Sequence, residues 1–435
     1  MSNPSPIDMK NILILLLTLP SIGIMAQLYF PPAGNAVWES IPSNELNWAE
    51  EDIIALDQFL EETNTKGFIY LKDGKIAKES YFNDFEQGDA WYWASAGKGI
   101  TAFLIGMAQE QGILNLTDSS SQYLGDWTLC DSEEEDKIQI IHQLTMTSGL
   151  DFSGDIFCTD RECLSCLNTP GEEWYYHNAP YTLLDQVIES ASGQTLNQYT
   201  REDLIQRTGM TGVWAQVGFN NLFLSTTRSM AKFGLLALNN GVWNGDTLLQ
   251  DQAYFQDMIS SSQDINPAYG YLWWLNGEES SRQPGSTDDF EGSLIPNAPD
   301  DLYMAIGANG QFIYVLPSTN EVIVRTGENT GDELVPILFG RALWDLVEQL
   351  NNTTSIQNSI ASNTGNIVLH PNPSSSQIEI NSDFLIAKVE IYDMLGNLLI
   401  ESQHSTIYLQ DIQAGKYIAK VMGESTYAIE SFIKF

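Results

Sequence analysis

The order of the hydrophobic patterns limits what this chain can fold into more than any other feature. Strand-like runs stand at both ends of the first 350 residues, and helical periodicity fills the stretch between them. Early on, Phe68-Ile69-Tyr70-Leu71 and the run 76–82 flank Asp73-Gly74, a turn pair, and predict a hairpin. Late in the chain the runs 269–274, 302–306, 311–316 and 321–326 read as strands, closed by a helix over 333–350. Between about 100 and 250 the apolar spacing is mostly helical, with helices expected over 138–147, 181–191 and 229–239, and an earlier one over 49–63. An early strand pair, a helical middle and late strands followed by a helix predict one sheet assembled from both ends of the domain, with the inserted helical stretch forming its own lobe, an α+β architecture.

After residue 350 the pattern changes. Residues 351–367 are rich in Asn, Ser and Thr and read as a linker. From 368 to 435 short alternating strands separated by turn signals predict a small β-sandwich. At the other end, Lys10, the apolar run 12–19 and Ile24-Met25-Ala26 fit a secretory signal removed after residue 26. No other stretch is long enough to cross a bilayer as a helix, so the mature chain is expected to have no transmembrane span. Export permits disulfides among Cys130, Cys158, Cys163 and Cys166, of which Cys158–Cys163 is the first choice. Zinc at Cys163-x-x-Cys166 is disfavoured because no second Cys/His pair lies nearby. The formal net charge of −38 repels phosphate backbones and excludes a nucleic-acid partner and a polybasic membrane anchor.

The chemistry-bearing stretch is Trp91-Tyr92-Trp93-Ala94-Ser95-Ala96-Gly97-Lys98, placed where a helix begins. Residues three apart share a helix face, so Lys98 can reach the Ser95 hydroxyl and act as its base. The first N–H groups of the helix lack intrahelical partners and favour an anion. Tyr176 and Asn178, two apart in an expected extended loop, can point the same way, the first as a proton shuttle and the second as an orienting amide. A glycine-containing bend, Gly307-Ala308-Asn309-Gly310, leads into a strand and can bring a backbone N–H to a substrate oxygen. Trp273 is expected to line the cleft. A second Ser-x-x-Lys, Ser229-Met230-Ala231-Lys232, lies inside an amphipathic helix and is read as structural. The acidic run Glu133–Asp136 reads as a solvated charge cluster, since it lacks the alternation of a calcium loop.

Together these stretches resemble the serine β-lactamase and penicillin-binding family, and its class C β-lactamase-like esterase and 6-aminohexanoate-dimer hydrolase branch in particular. Four matches fall in order: Ser95-x-x-Lys98; Leu144-Thr145-Met146-Thr147-Ser148-Gly149-Leu150; Tyr176-His177-Asn178; and Tyr269-Gly270-Tyr271-Leu272-Trp273-Trp274. The resemblance implies a β-lactamase-like domain over 48–350, an α+β fold with an antiparallel sheet flanked by helices and an all-helical lobe, and acyl transfer through an ester on Ser95. Lys98 and Tyr176 would be acid and base, Asn178 would support them, and the N–H groups of Ser95 and Ala308 would hold the oxyanion. No cofactor or metal is implied. The family's third motif carries a cation where this chain has Ala308-Asn309-Gly310, so a small-molecule ester or amide is expected in preference to a β-lactam or D,D-peptide. A non-catalytic surface binding protein is the further alternative. Leu369-His370-Pro371-Asn372-Pro373, Val389–Gly396 and Gly415-Lys416-Tyr417 resemble the C-terminal sorting domain of the type IX (Por) secretion system. That resemblance implies a secreted or cell-surface protein, exported through the periplasm with the type IX machinery as partner.

Overall fold

The computed structural model describes residues 28–33, 37–328, 333–360, 367–393, 398–410, 412–423 and 427–434. The expected signal segment 1–26 and the turn signal Gly396-Asn397 lie outside the described residues. A six-stranded sheet runs in the order Lys75–Tyr81, Thr65–Lys72, Glu321–Gly327, Gln311–Leu316, Tyr303–Gly307, Trp274–Leu275. Every pairing is antiparallel. The strand Thr65–Lys72 pairs with its hairpin partner on one side and with Glu321–Gly327 on the other, so the sheet joins the two ends of the domain.

Strands 311–316 and 321–327 are buried on both faces, which is why they read as unbroken apolar runs. On one face Phe312 stacks on Phe339 (centroids 5.8 Å), and Phe339 stacks on Phe59 (5.3 Å). The helices Glu50–Glu62 and Ile337–Ile360 therefore cover that side. On the other face the helix Thr227–Leu238 comes so close that a Cβ on Gly234 would stand 2.5 Å from Val322 and 3.0 Å from Ile313. Burial of apolar surface on both faces of the sheet is the main stabilising contribution here.

Several local expectations differ from what the tertiary packing produces. The helix expected over 138–147 is only Ile140–Leu144, because Met146 turns to φ 59°. The helix expected over 181–191 is two helices, Asn178–Thr182 and Leu184–Ser192. The run 269–274 is mostly a tight turn with Leu272 at φ 62°, and only Trp274–Leu275 joins the sheet. A second, three-stranded sheet of Trp91–Tyr92, Asn220–Ser225 and Val213–Val217 was not expected at all. Its outer strand carries exposed Val213 and Val217 beside polar Gln216, so it lacks the clean alternation of a half-buried strand. The closing helix runs on to Ile360, into the segment 351–367 read as a linker. The acidic run is not wholly solvated: Glu135 is buried and accepts from the Thr128 N–H and hydroxyl (2.7 and 2.6 Å).

The C-terminal residues form two antiparallel sheets. One contains Ile367–His370, Gln377–Ser382 and Thr406–Tyr408; the other contains Leu398–Ser402, Lys388–Tyr392, Gly415–Met422 and Tyr427–Lys434. They enclose a core of Ile378, Ile380, Val389, Ile391, Val421 and Phe432, separate from that of the larger domain. Disulfides Cys130–Cys166 and Cys158–Cys163 tie down the loops around the helical lobe.

Candidate active site

Strand Trp91–Tyr92 ends in a tight 3-10 turn, Ala94–Gly97, that leads directly into the helix Lys98–Glu110. Ala94 enters it at φ 46°, a left-handed conformation that costs a non-glycine residue roughly 1–3 kcal/mol and is held by its surroundings. The turn leaves Ser95 half-buried and Lys98 almost fully buried, at 2% exposure. Lys98 Nζ lies 2.9 Å from Ser95 Oγ and 2.7 Å from Asn178 Oδ1. It also sits over the rings of Tyr181 (4.0 Å) and Tyr176 (4.9 Å). Burial holds its pKa well below the ordinary lysine value, and the charge of Asp185 opposes that shift only in part. Lys98 is thus poised to carry a neutral amine beside a hydroxyl, the arrangement a serine nucleophile requires.

Tyr176 is fully buried against Trp274 (5.7 Å, stacked) and Tyr269 (6.4 Å, edge-on). Burial raises its phenol pKa, and the nearby Ser95 hydroxyl lowers it to a smaller extent. By hydrogen-bond geometry neither its Oη nor the Nδ2 of Asn178 has a partner among the described residues, Ser95 being near the phenol but not bonded to it. Two buried polar atoms without partners beside Ser95 are atoms a substrate can satisfy. Asn178 opens the helix Asn178–Thr182 rather than lying in the extended loop expected from its spacing.

The bend at 307–310 is a hairpin turn between strands Tyr303–Gly307 and Gln311–Leu316. Asn309 and Gly310 take φ 61° and 76°, the mirror-image turn that Asn-Gly favours. Gly307 stands against the serine turn: a Cβ there would fall 2.4 Å from the Trp93 carbonyl oxygen and 3.0 Å from the Ser95 nitrogen. The absence of a side chain therefore lets the strand end approach Ser95 backbone to backbone. Ala308, next in the chain, is half-exposed. Asn309 Nδ2 donates to Tyr92 Oη (2.8 Å), tying the turn to the strand that delivers Ser95.

The packing adds residues that sequence reasoning missed. Arg325 is fully buried and donates to the carbonyls of Gly310 (2.7 Å) and Thr63 (2.7 Å) and to Thr65 Oγ1 (2.9 Å). Burial pushes its pKa down to about 9. Gln311 Nε2 donates to the Gly327 carbonyl (2.7 Å), and its Oε1 accepts from the Gly327 N–H (3.0 Å). Both side chains fix the turn from behind, and neither carries a motif that single-sequence reading could have found. Asp185 is the third addition. It is buried, accepts from Asn221 Nδ2 (3.1 Å), and burial raises its pKa to about 7.

Of the eight expected site residues, Ser95, Lys98, Asn178 and Tyr176 come together directly, and Gly307, Ala308 and Gly310 form the turn beside them. Trp273 is a correction. It is fully buried against Phe233 (6.1 Å) and Tyr303 (5.3 Å) and pressed on Gly99, so it belongs to the core. The sharp turn at Leu272 sends it there and brings Trp274 to Tyr176 instead. The second motif does not form an equivalent pair. Ser229 Oγ accepts from the Thr211 N–H (2.9 Å), while Lys232 Nζ donates to the Gly209 carbonyl (2.6 Å).

Residues 56–332 match the beta-lactamase family model, and residues 350–434 match the secretion system C-terminal sorting domain. A 6-aminohexanoate-dimer hydrolase of Paenarthrobacter ureafaciens is 22% identical over 314 residues, covering 62% of this chain and 74% of the relative. Among solved structures, a chain assigned as a 6-aminohexanoate-dimer hydrolase from Bacillus anthracis superposes with TM-score 0.56 at 17% identity, over 75% of this chain and 89% of its own. One assigned as a β-lactamase from Bacteroides dorei superposes with TM-score 0.57 at 15% identity, over 70% and 99%. A sorting domain of this kind implies a secreted or cell-surface protein. Both the sheet built from the two ends of the domain and the family match over most of it lead to one conclusion: this chain belongs to the β-lactamase family of serine hydrolases.

Proposed function

We propose that the protein hydrolyses a small ester or amide through an acyl-enzyme on Ser95. The observation that carries this reading is the buried Lys98, within hydrogen-bond reach of both Ser95 Oγ and Asn178 Oδ1. As a neutral amine, Lys98 takes the Ser95 proton while Oγ attacks the substrate carbonyl. The N–H groups of Ser95 and Ala308 receive the developing oxyanion. Tyr176 passes a proton to the leaving alcohol or amine, and Asn178 Nδ2 supplies a donor to the substrate. Water then attacks the ester by the reverse proton route, releasing the acid and restoring Ser95.

The turn 308–310 carries no cation of its own, and the side chain of Asn309 is engaged by Tyr92. Arg325, the nearest cation to that turn, spends its donors on carbonyls and Thr65 behind it. That favours a substrate without a recognition carboxylate over a β-lactam or peptidoglycan stem. The relative named for 6-aminohexanoate-dimer hydrolysis supports amide cleavage alone, since a linear dimer of that acid itself ends in a carboxylate. Residues 1–26 would direct export to the periplasm, and 368–435 would engage the type IX machinery. A fluorophosphonate label tests the reading: it is expected on the intact chain and absent from Ser95→Ala, and a label that persists in Ser95→Ala overturns it. Turnover of p-nitrophenyl esters alongside a chromogenic cephalosporin then separates the ester/amide reading from a β-lactamase.

A further inference from the structure

A cavity of about 670 Å³ opens beside the second Ser-x-x-Lys, and Ser95, Lys98 and Tyr176 do not line it. Its volume is that of an ordinary small-molecule site. Trp38, Val213 and Leu224 supply apolar wall, and Arg228 and Lys232 supply the charge. The two cations are not equivalent. Arg228 is neutralised by a bidentate pair with Glu79 (2.7 and 2.7 Å). Lys232 is 6% exposed and donates once, to the Gly209 carbonyl, with no carboxylate paired to it among the described residues. An ammonium has three donors, so two have no partner among the described residues.

A buried, uncompensated ammonium is costly unless an anion completes it. This chain has 57 Asp and Glu and a net charge of −38, yet none of the described carboxylates pairs with Lys232. Leaving Lys232 without one beside a cavity points to an anion from outside. Burial and the nearby Arg228 both disfavour the charged form of Lys232, and a bound anion would reverse that. One uncompensated positive charge is matched by a single carboxylate. Phosphate carries about −1.5 to −2 at neutral pH and would leave an excess in an already acidic molecule.

We propose that this cavity binds a monocarboxylate with an apolar body, its carboxylate on Lys232 Nζ and its body against Trp38, Val213 and Leu224. The site is distinct from the Ser95 centre. Its wall nevertheless includes Ser225, whose hydroxyl accepts from Trp93 Nε1 (2.8 Å) just before the serine turn.

Calorimetric titration of the full chain carrying Ser95→Ala, which keeps turnover out of the signal, tests the proposal with three probes: 4-phenylbutyrate, its neutral amide and inorganic phosphate. The acid is expected to bind with one site, and the amide at least about tenfold more weakly, about 1.4 kcal/mol. Adding Lys232→Met is expected to weaken the acid by a similar factor, and Lys232→Arg to retain it. Equal binding of acid and amide, unchanged acid binding in Lys232→Met, tighter binding of phosphate, or no binding of the acid would each overturn the proposal. If Lys232→Met does not fold, Val213→Trp, at a half-exposed rim position, crowds the apolar wall and is expected to weaken acid binding about tenfold; unchanged binding there overturns it as well.

Discussion

Two stretches of this molecule share one pattern, Ser95-x-x-Lys98 and Ser229-x-x-Lys232, and both begin near the start of a helix on the same core. In each, the lysine is buried and its pKa lowered by burial. What differs is what the neighbouring elements supply. At the first, the 3-10 turn lets Lys98 meet Ser95 Oγ, and the stretch carrying Tyr176 and Asn178 and the 307–310 turn arrive from two other segments. At the second, an ordinary helix turns Ser229 toward Thr211 and Thr226 and Lys232 toward the Gly209 carbonyl. The charge next to Lys98 is the acid Asp185, and that next to Lys232 is the base Arg228. Spacing brings two side chains onto one helix face, but partners decide whether they react.

The comparison breaks first at the serines. Ser95→Ala is expected to cut ester turnover by about 10³-fold or more, since no other group replaces a lost nucleophile. Ser229→Ala is expected to keep the phosphonate adduct. A label lost from Ser229→Ala and kept in Ser95→Ala would reverse the two assignments.

The lysines give the next largest effect. Lys98→Met is expected to lose about 10²–10⁴ in kcat, and Lys98→Arg not to restore it, because a guanidinium does not deprotonate at working pH. Because the pKa of Lys98 lies below the ordinary lysine value, kcat/KM of the native chain should rise with pH through that lowered pKa. Activity that instead falls across that limb would show the ammonium to be the active form. Tyr176→Phe comes third, with kcat down about 10²-fold and KM little changed if the phenol acts on the leaving group. A rise in KM alone, measured by steady-state kinetics, would leave it a binding residue.

Asp185 sharpens the electrostatic half of the contrast. Its carboxyl titrates at about 7 in the folded chain and near 3.9 when unfolded, so the native state holds the extra proton between those values. Its burial is tolerated best below pH 4, and the stability cost grows as pH rises toward 7. Asp185→Asn should therefore gain on the native chain in thermal melts between about pH 4 and 7, and a constant difference across that window would refute the shift. The smallest effect belongs to Ser229→Ala, which removes an acceptor of the Thr211 N–H and Thr226 hydroxyl and should cost about 1 kcal/mol of stability.

Much of the fold was legible because its strands are buried on both faces and carry unbroken apolar runs, as at Gln311–Leu316 and Glu321–Gly327. The strand pair Val213–Val217 and Asn220–Ser225 escaped notice because half of its side chains stay polar or exposed, so the period of two is blurred. The candidate site was legible where several common patterns fall in order: a serine three before a lysine, a Tyr-x-Asn, and a glycine-containing bend before a strand. Trp273 and Trp274 could not be told apart, since the choice between core and site depends on one positive φ at Leu272. Arg325 and Gln311 were invisible because each acts through carbonyls of other segments, and carbonyls carry no sequence signal.

Residue types and short spacings thus carried the α+β class and the change of pattern after residue 350, and, with the family resemblance, the groups proposed for acyl transfer. These follow from local propensity, apolar periodicity and side-chain chemistry, which are written residue by residue. Which of the two Ser-x-x-Lys pairs holds its serine and lysine in contact was decided only by the tertiary structure. So were the lowered pKa of the buried lysines, the placement of Gly307 against the Ser95 nitrogen, and the cavity beside Lys232. Burial, close backbone approach and charge neighbours are properties of segments far apart in the chain, and they exist only once the sheet has joined its two ends.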